Sequence, residues 1–230
     1  MIRKSLFLGA LEVILNPYGK WGFLKSVVRN GKILDVGCGN NSPLYTKHKR
    51  PDINYTGIDI AVYNQITEYE KYAARFILTS PENFHLEIEQ FTEKFDAVIS
   101  AHNLEHCNNY KGVLLAMIKS LKKDGKIFLS FPCEKSTTFP KGRGGLNFYD
   151  DSTHINIINF NEIIKILKEN NIVIDFSVQQ SKPLGLFIIG LVLEPISRIC
   201  NKIAPFRTTW ALYGFETIII GHKTETGLEI

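Results

Sequence analysis

Cysteine is scarce and scattered: Cys38, Cys107, Cys133 and Cys200 are the four in the chain, and no two form a C-x-x-C pair. Such spacing builds neither a disulfide framework nor a zinc ribbon, and a reducing cytoplasm is the expected setting. A large excess of charge is missing too. The net charge is +4 and carries no basic block, so the clustered basic stripe of a nucleic-acid binder is absent and no nucleic-acid partner is expected. No apolar run reaches the roughly twenty residues that a bilayer-spanning helix needs. Repeats, low-complexity tracts and linker-like composition are absent, so the 230 residues are expected to form one domain, large enough for a full core. Met1-Ile2-Arg3-Lys4 followed by Ser5 to Leu15 imitates a signal peptide. Glu12 interrupts its apolar run, however, and no small-x-small cleavage site follows, so an amphipathic first helix is the expectation.

What is present is a soluble globular composition, 44% hydrophobic and 22% charged, organised around Gly31 to Ser42. Ile33 to Val36 reads as a buried strand that breaks into Gly37-Cys38-Gly39 and opens a helix. Glycine permits φ > 0 and carries no Cβ, so a ligand can lie against the backbone. A strand-glycine-helix corner is also expected to point free backbone N–H groups at polar or anionic ligand atoms. About twenty residues on, Tyr55-Thr56-Gly57-Ile58-Asp59-Ile60 forms a second strand ending in an acid. A carboxylate at that tip can accept hydrogen bonds from both hydroxyls of a ribose.

These residues resemble the first two motifs of class I S-adenosylmethionine-dependent methyltransferases. The resemblance implies a Rossmann-like, seven-stranded, mostly parallel sheet with helices on both faces, and S-adenosyl-L-methionine as cofactor. It assigns Gly37, Cys38 and Gly39 to the methionine part, Asp59 to the ribose, and Ala101 and His102 to the opposite wall, with Asp35 and Ile60 also among the cofactor-binding residues. A nicotinamide-binding G-x-G-x-x-G would need glycine at Ser42, which disfavours an oxidoreductase or sugar epimerase. Where the family often has a further glycine this chain has Asn41, a residue that tolerates the left-handed conformation. A non-catalytic methyltransferase-like binding protein is the other alternative.

In chain order, Ser5 to Asn30 predicts one or two helices, broken at Asn16-Pro17-Tyr18-Gly19, that cap the sheet or cover the cofactor cleft. Ser42-Pro43 is a good N-cap and N1 pair for the next helix. Arg75 to Leu78, Phe95 to Ser100 and Lys126 to Phe131 are the third, fourth and fifth strands. Ser80, Glu82 and Asn83 compete for an adenine contact, although Ser80-Pro81-Glu82 also suits a helix start. Helices are predicted from Tyr110 to Leu121 and from Asn159 to Asn170, with an irregular glycine-rich segment, Pro132 to Thr153, before the second. Ile172 to Val178 and Phe215 to Ile220 are the last strands. Alternation of strands with helices means a mainly parallel sheet covered on both faces.

Ligands of open α/β sheets sit beyond the carboxyl ends of the strands. Past the fourth strand, His102, Glu105 and His106 are spaced to share one helical face. The text H-x-x-E-H also matches an inverted zinc-protease pattern, which is set aside because here it caps a strand. Some quinone-type O-methyltransferases resemble this region, with Glu-x-x-Glu-His binding a divalent ion that orients the acceptor oxygen. His102 replaces the first glutamate, so no metal site is assigned. His106 is either a catalytic candidate or an ordinary packed helix residue. His154, after a flexible loop with Gly142, Gly144 and Gly145 and the run Asn147-Phe148-Tyr149-Asp150-Asp151, is the first choice of general base, since imidazole titrates near neutral pH. The bland alternative is that His154 caps a helix or bonds Asp150. His48, His85 and His222 show no evident partner, and Cys133 reads as a small buried residue.

Ser130-Phe131-Pro132-Cys133 and Asn147 to Asp151 resemble methyltransferases found among bacterial surface-polysaccharide enzymes. That resemblance implies O-methylation of a small-molecule or glycan-precursor acceptor in polysaccharide biosynthesis. The Ser181-to-Trp210 insertion holds an apolar run, Leu184 to Leu193, followed by basic Arg198, Lys202 and Arg207. Core packing, a homodimer contact and peripheral membrane contact through residues 184–207 are its candidate roles.

Overall fold

The computed structural model describes residues 14–65 and 68–225. Seven strands form one sheet in the order β3-β2-β1-β4-β5-β7-β6. They are β1 (Lys32–Val36), β2 (Asn54–Asp59), β3 (Arg75–Leu78), β4 (Phe95–Ala101), β5 (Leu121–Pro132), β6 (Ile172–Val178) and β7 (Glu216–Lys223). Pairings among β1 to β5 are parallel, whereas β7 runs antiparallel between β5 and β6. The helices are α1 (Lys20–Ser26), α2 (Ser42–Lys49), α3 (Phe84–Glu89), α4 (Tyr110–Ser120), α5 (Phe160–Glu169), α6 (Leu184–Cys200) and α7 (Thr208–Tyr213).

The strand period of two explains why both faces are covered. On β1, Leu34 and Val36 point into a core made with Phe84, Ile88, Val113, Met117, Ile163 and Leu167. Ile33, one residue out of step, points into the opposite core with Phe23, Leu24 and Val27 of the α1 region. Each fully buried side chain of this size contributes about 1.5–3 kcal/mol. Helix starts are fixed locally: the Asn109 side chain accepts from Gly112 N–H, and that of Asn159 from Glu162 N–H.

Several boundaries move. The break at residues 16–19 precedes α1 as expected, while residues 1–13, and with them most of the expected first helix, lie outside the described residues. Strand β5 begins at Leu121 instead of Lys126, with the Lys123-Asp124-Gly125 turn absorbed as an irregularity: Asp124 has φ 59°, and the register against β4 shifts between Phe95 and Ala97. Ser42 is the first residue of α2, and Asn41, at φ 60°, occupies the N-cap position. Because β7 is antiparallel, β6 ends and β7 begins at the carboxyl edge of β1, β4 and β5. The connection bearing α6 and α7 therefore lies over that edge.

Candidate active site

Gly37 ends β1 at φ 74°, and a Cβ there would fall 2.4 Å from Asn103 Oδ1, so only glycine lets the corner close against the segment after β4. Gly39 is hemmed in by a ring and an acid: a Cβ there would lie 3.3 Å from Tyr63 Cδ1 and 3.5 Å from Asp59 Oδ2. Asn40 and Asn41 then carry the turn at φ 55° and 60°, doing with asparagine what glycine does at no steric cost. The N–H groups expected to be free are not. Gly37 and Cys38 both donate to Ile58 O, at 2.9 and 3.3 Å, Asn40 donates to Tyr63 O, and Ser42 to Gly39 O. The corner offers a ligand room and a carboxylate, not a nest of donors.

Two expected cofactor contacts need correction. Asp35 is wholly buried and does not line the cleft. Its Oδ2 accepts from Lys20 Nζ at 2.7 Å, Ser42 Oγ at 2.5 Å and Tyr55 OH at 2.8 Å. Lys20 and Ser42 do line the cleft, so Asp35 positions them from beneath. The bond to Asp35 also explains why the Ser42 hydroxyl caps nothing. Cys38 sends its side chain into the core under Gly57, whose Cβ would meet Cys38 Sγ at 2.6 Å. Burial pushes the Cys38 thiol far above its ordinary range, which leaves it inert.

The remaining cofactor candidates fall together. Gly37, Gly39, Asp59, Ile60, Ala101 and His102 line one cleft of about 970 Å³, near the top of the range of about 300–1,000 Å³ usual for ligand sites. Asp59 Oδ1 accepts from Ile60 N–H at 2.8 Å. Burial raises the Asp59 carboxyl above the usual range, and nearby backbone N–H groups oppose that rise. Ser80, Glu82 and Asn83 do not line the cleft; Pro81, Phe84 and His85 do. His85, which shows no evident partner in the sequence, thus borders the cleft, and His222, expected to lack a partner, pairs with Asp175 at 2.8 Å. The N-terminal cover contributes Lys20 and Trp21. A cradle emptied of Cβ atoms, walled by apolar groups and closed by a ribose-reading acid suits a nucleoside bearing a methionine tail. Asp59 would hold the ribose, and the cleft beside Gly37 and Gly39 would receive the tail.

The expected shared helical face past β4 does not form. Only Leu104–His106 makes a single 3₁₀ turn, and His102 sits before it at φ 52°. This left-handed residue turns the His102 ring away from His106. His102 instead lies between two carboxylates, with Nδ1 3.2 Å from Glu105 Oε1 and Nε2 3.0 Å from Glu216 Oε1. Burial alone would lower its pKa, but the two acids outweigh burial and raise it to about 9. His102 is therefore an imidazolium at neutral pH. Trp210 packs beside the ring at a centroid distance of 5.0 Å.

Glu105 is completely buried, and neither carboxyl oxygen makes a hydrogen bond of good geometry. Across the cleft from the glycine corner stands His154, whose Nδ1 lies 2.6 Å from Phe148 O. A carbonyl oxygen can only accept, so Nδ1 carries a proton and Nε2 is the ring nitrogen left to exchange one. That Nε2 is 4.0 Å from Glu105 Oε1 and 3.9 Å from Asp151 Oδ2. Neither a helix cap nor a bond to Asp150 is what holds His154. Asp150 instead accepts from the N–H groups of Gly142, Gly145 and Asn147. His106 lines the cleft, with Nδ1 3.1 Å from Thr153 O and its ring 4.7 Å from that of His154. One ligating atom each of Glu105, His106 and His154 lie within 4.8 Å of one another, an arrangement that can accommodate a cation.

The glycine-rich loop is anchored, contrary to the flexible loop expected. Gly142, Gly144 and Gly145 have φ of 72°, 64° and 96°, and their absent Cβ atoms would meet nothing within 4 Å, so backbone conformation alone demands glycine there. Between them, buried Arg143 forms a two-pronged bond to Glu194 of α6, at 2.8 and 3.1 Å, and donates to Ser197 Oγ at 2.6 Å. Glu105, Glu216, Trp210 and Arg143 were not singled out as site residues from sequence. Only Glu105 stood inside a recognised pattern; Trp210 lies on α7, Glu216 opens β7, and Arg143 sits in the glycine-rich loop.

Comparison with known proteins agrees with this geometry. A family model described as "Methyltransferase domain" matches residues 22–175. Among curated proteins, the malonyl-[acyl-carrier protein] O-methyltransferase of Acetivibrio thermocellus is 36% identical over 103 residues, 43% of this chain and 34% of that protein. The (S)-coclaurine N-methyltransferase of Papaver somniferum is 25% identical over 119 residues, 50% of this chain and again 34% of the relative. The chain thus spans about a third of the length of these curated relatives. A SAM-dependent methyltransferase of Archaeoglobus fulgidus shares the fold at TM-score 0.56 and 18% identity, with 94% of this chain and 93% of that one covered. The 1,6-didemethyltoxoflavin-N1-methyltransferase of Burkholderia thailandensis, solved with S-adenosylhomocysteine, shares it at TM-score 0.54 and 14% identity, covering 93% and 76%. With a family model across more than half its length, the chain belongs to the class I S-adenosylmethionine-dependent methyltransferases.

Proposed function

We propose that this protein methylates a hydroxyl oxygen on a small-molecule or glycan-precursor acceptor, with His154 as general base. The observation that carries the reading is the bare Nε2 of His154, fixed by the Nδ1–H bond to Phe148 O and faced by Glu105 and Asp151. S-adenosylmethionine supplies a methyl group on a sulfonium, already a strong electrophile, so the protein's share is orientation and proton removal. His154 Nε2 takes the hydroxyl proton, and the resulting imidazolium lies within reach of two carboxylates that stabilise its charge. His106 and Asp151 border the acceptor side. The curated relatives include both an N- and an O-methyltransferase by name; a base beside an acceptor pocket favours oxygen, because a hydroxyl must lose its proton to become a good nucleophile. A cytoplasmic location and a role in polysaccharide biosynthesis belong to this reading.

The test is transfer of labelled methyl from S-adenosylmethionine to a panel of phenols, catechols and sugar nucleotides, with amines as the contrast. The reading expects a hydroxylated acceptor, and loss of turnover in His154→Ala with S-adenosylhomocysteine binding retained. Activity on amines alone would count against it.

One observation favours a second reading: the convergence of Glu105, His106 and His154. In it those three side chains hold a divalent cation whose charge stabilises the acceptor oxyanion, so removal of the proton needs no strong base. Zinc and magnesium titrations of the wild type and Glu105→Gln distinguish the readings, since only this one expects tight binding that the substitution abolishes.

A further inference from the structure

Helix α6 presents a face with a row of exposed apolar side chains among the described residues. Leu184, Ile188, Leu191, Val192, Ile196 and Ile199 are between 52% and 83% exposed. Their spacing of four, three, one, four and three residues puts them on one side of a 17-residue helix. The opposite side packs inward through Leu186, Gly190 and Ser197. No charged residue interrupts the outer stripe, and the helix is too short and too interrupted to cross a bilayer.

The charges flanking the stripe are of one sign. Residues 181–213 contain Lys182, Arg198, Lys202 and Arg207 against a single acid, Glu194. That acid is shared by Arg143, which reaches it from the glycine-rich loop, and Arg198, 2.8 Å away, so the two arginines keep a net positive charge between them. Lys182 stands just before the helix, Arg198 lies in its last turn and Lys202 follows it, while Arg207 lines the cleft. We propose that this face docks on the surface of an anionic lipid bilayer, with α6 lying in the plane of the interface and its cations among the headgroups. A second copy of the chain is the poorer occupant. Pairing two such helices antiparallel sets Lys182 of each copy against the basic end of the other, and pairing them parallel sets like ends together. Either way the cations repel, whereas anionic headgroups neutralise them. Residues adjoining the stripe line the cleft: Pro183 just before α6, Leu186 on its inner side, and Phe206 and Arg207 just before α7. A docked molecule would therefore open its site toward the lipid surface.

The test is co-sedimentation of the full chain with vesicles of phosphatidylethanolamine and phosphatidylglycerol, beside phosphatidylcholine vesicles. It is run without acceptor, so its outcome is independent of the methyl-transfer reading. The proposal expects binding to the anionic vesicles, at least tenfold weaker binding to the neutral ones, and further loss at high salt. The triple variant Ile188→Glu, Val192→Glu, Ile196→Glu changes exposed positions only. It should lose vesicle binding at least tenfold while keeping its melting temperature and its affinity for S-adenosylhomocysteine. If the variant misfolds, Lys182→Glu with Lys202→Glu provides the same comparison through charge. Equal sedimentation of wild type and folded variants, or a concentration-dependent dimer that the triple variant abolishes without any vesicle binding, would overturn the proposal.

Discussion

Glu105 Oε1 lies 4.0 Å from His154 Nε2 and 3.2 Å from His102 Nδ1, a buried carboxylate set between two imidazoles. The two histidines differ because their surroundings differ. His102 has an acid on each ring nitrogen, while Nδ1 of His154 is spent on a carbonyl. Glu105→Gln removes the charge that supports a protonated His154 and keeps the shape. Turnover should fall, and His154→Ala should cost more, on the order of 10²–10⁴-fold, the usual contribution of a general base. Steady-state kinetics with S-adenosylhomocysteine affinity measured in parallel checks both, and an unchanged kcat in His154→Ala would remove it as the base.

Asp59→Asn keeps the size of the side chain and deletes its charge. Cofactor binding should weaken by about 1.5–3 kcal/mol, the range for hydrogen bonds to a charged group. Burial holds the Asp59 pKa above the ordinary value, so in the wild type affinity should begin to fall at a higher pH, on acidification, than an exposed aspartate would dictate. Calorimetry with S-adenosylhomocysteine across pH reads both effects, and an affinity indifferent to the substitution excludes the ribose contact.

His102 links pH to stability. Its pKa rises from an ordinary 6.5 unfolded to about 9 folded, so its stabilising contribution is complete below about 6.5 and disappears as pH climbs through 9. The melting temperature of His102→Gln should therefore trail the wild type at pH 6 and approach it above pH 9. A gap constant over that window would show that the imidazolium is not formed.

Arg143→Met cuts the anchor of the glycine-rich loop. Breaking a buried pair costs about 3–5 kcal/mol, and the lower end is expected because Arg198 remains 2.8 Å from Glu194. The effect should shrink in acid: burial alone would raise the Glu194 pKa, but Arg143, Arg198 and Tyr213 bring it to about 2, so the pair is lost as pH falls from ordinary carboxylate values toward that point. Acceptor KM should rise while cofactor affinity holds. Denaturant melts and KM values check this, and a loss of cofactor affinity equal to the KM effect would contradict the assigned place of the loop.

The sheet was legible because strands announce themselves locally. β3 and β6 begin and end where the sequence says, and Gly37 and Asp59 occupy the corner that their spacing demanded. What escaped was set by distance along the chain. Glu216 reaches His102 across 114 positions, and Arg143 reaches Glu194 across 51; no local pattern encodes either. Asp35 and Cys38 were misread for a different reason. Alternation tells which face of a strand a residue takes, but not that Lys20 would roof Asp35 or that Gly57 would leave a hollow for a thiol. The shared face of His102, Glu105 and His106 failed because a left-handed His102 ends the run before a helix can start.

The most direct test of the account is a crystal structure of the protein with S-adenosylhomocysteine. It should show the ribose hydroxyls on Asp59 and the sulfur directed into the cleft toward the His154 side. A nucleoside bound elsewhere, or a ribose that leaves Asp59 untouched, would contradict it.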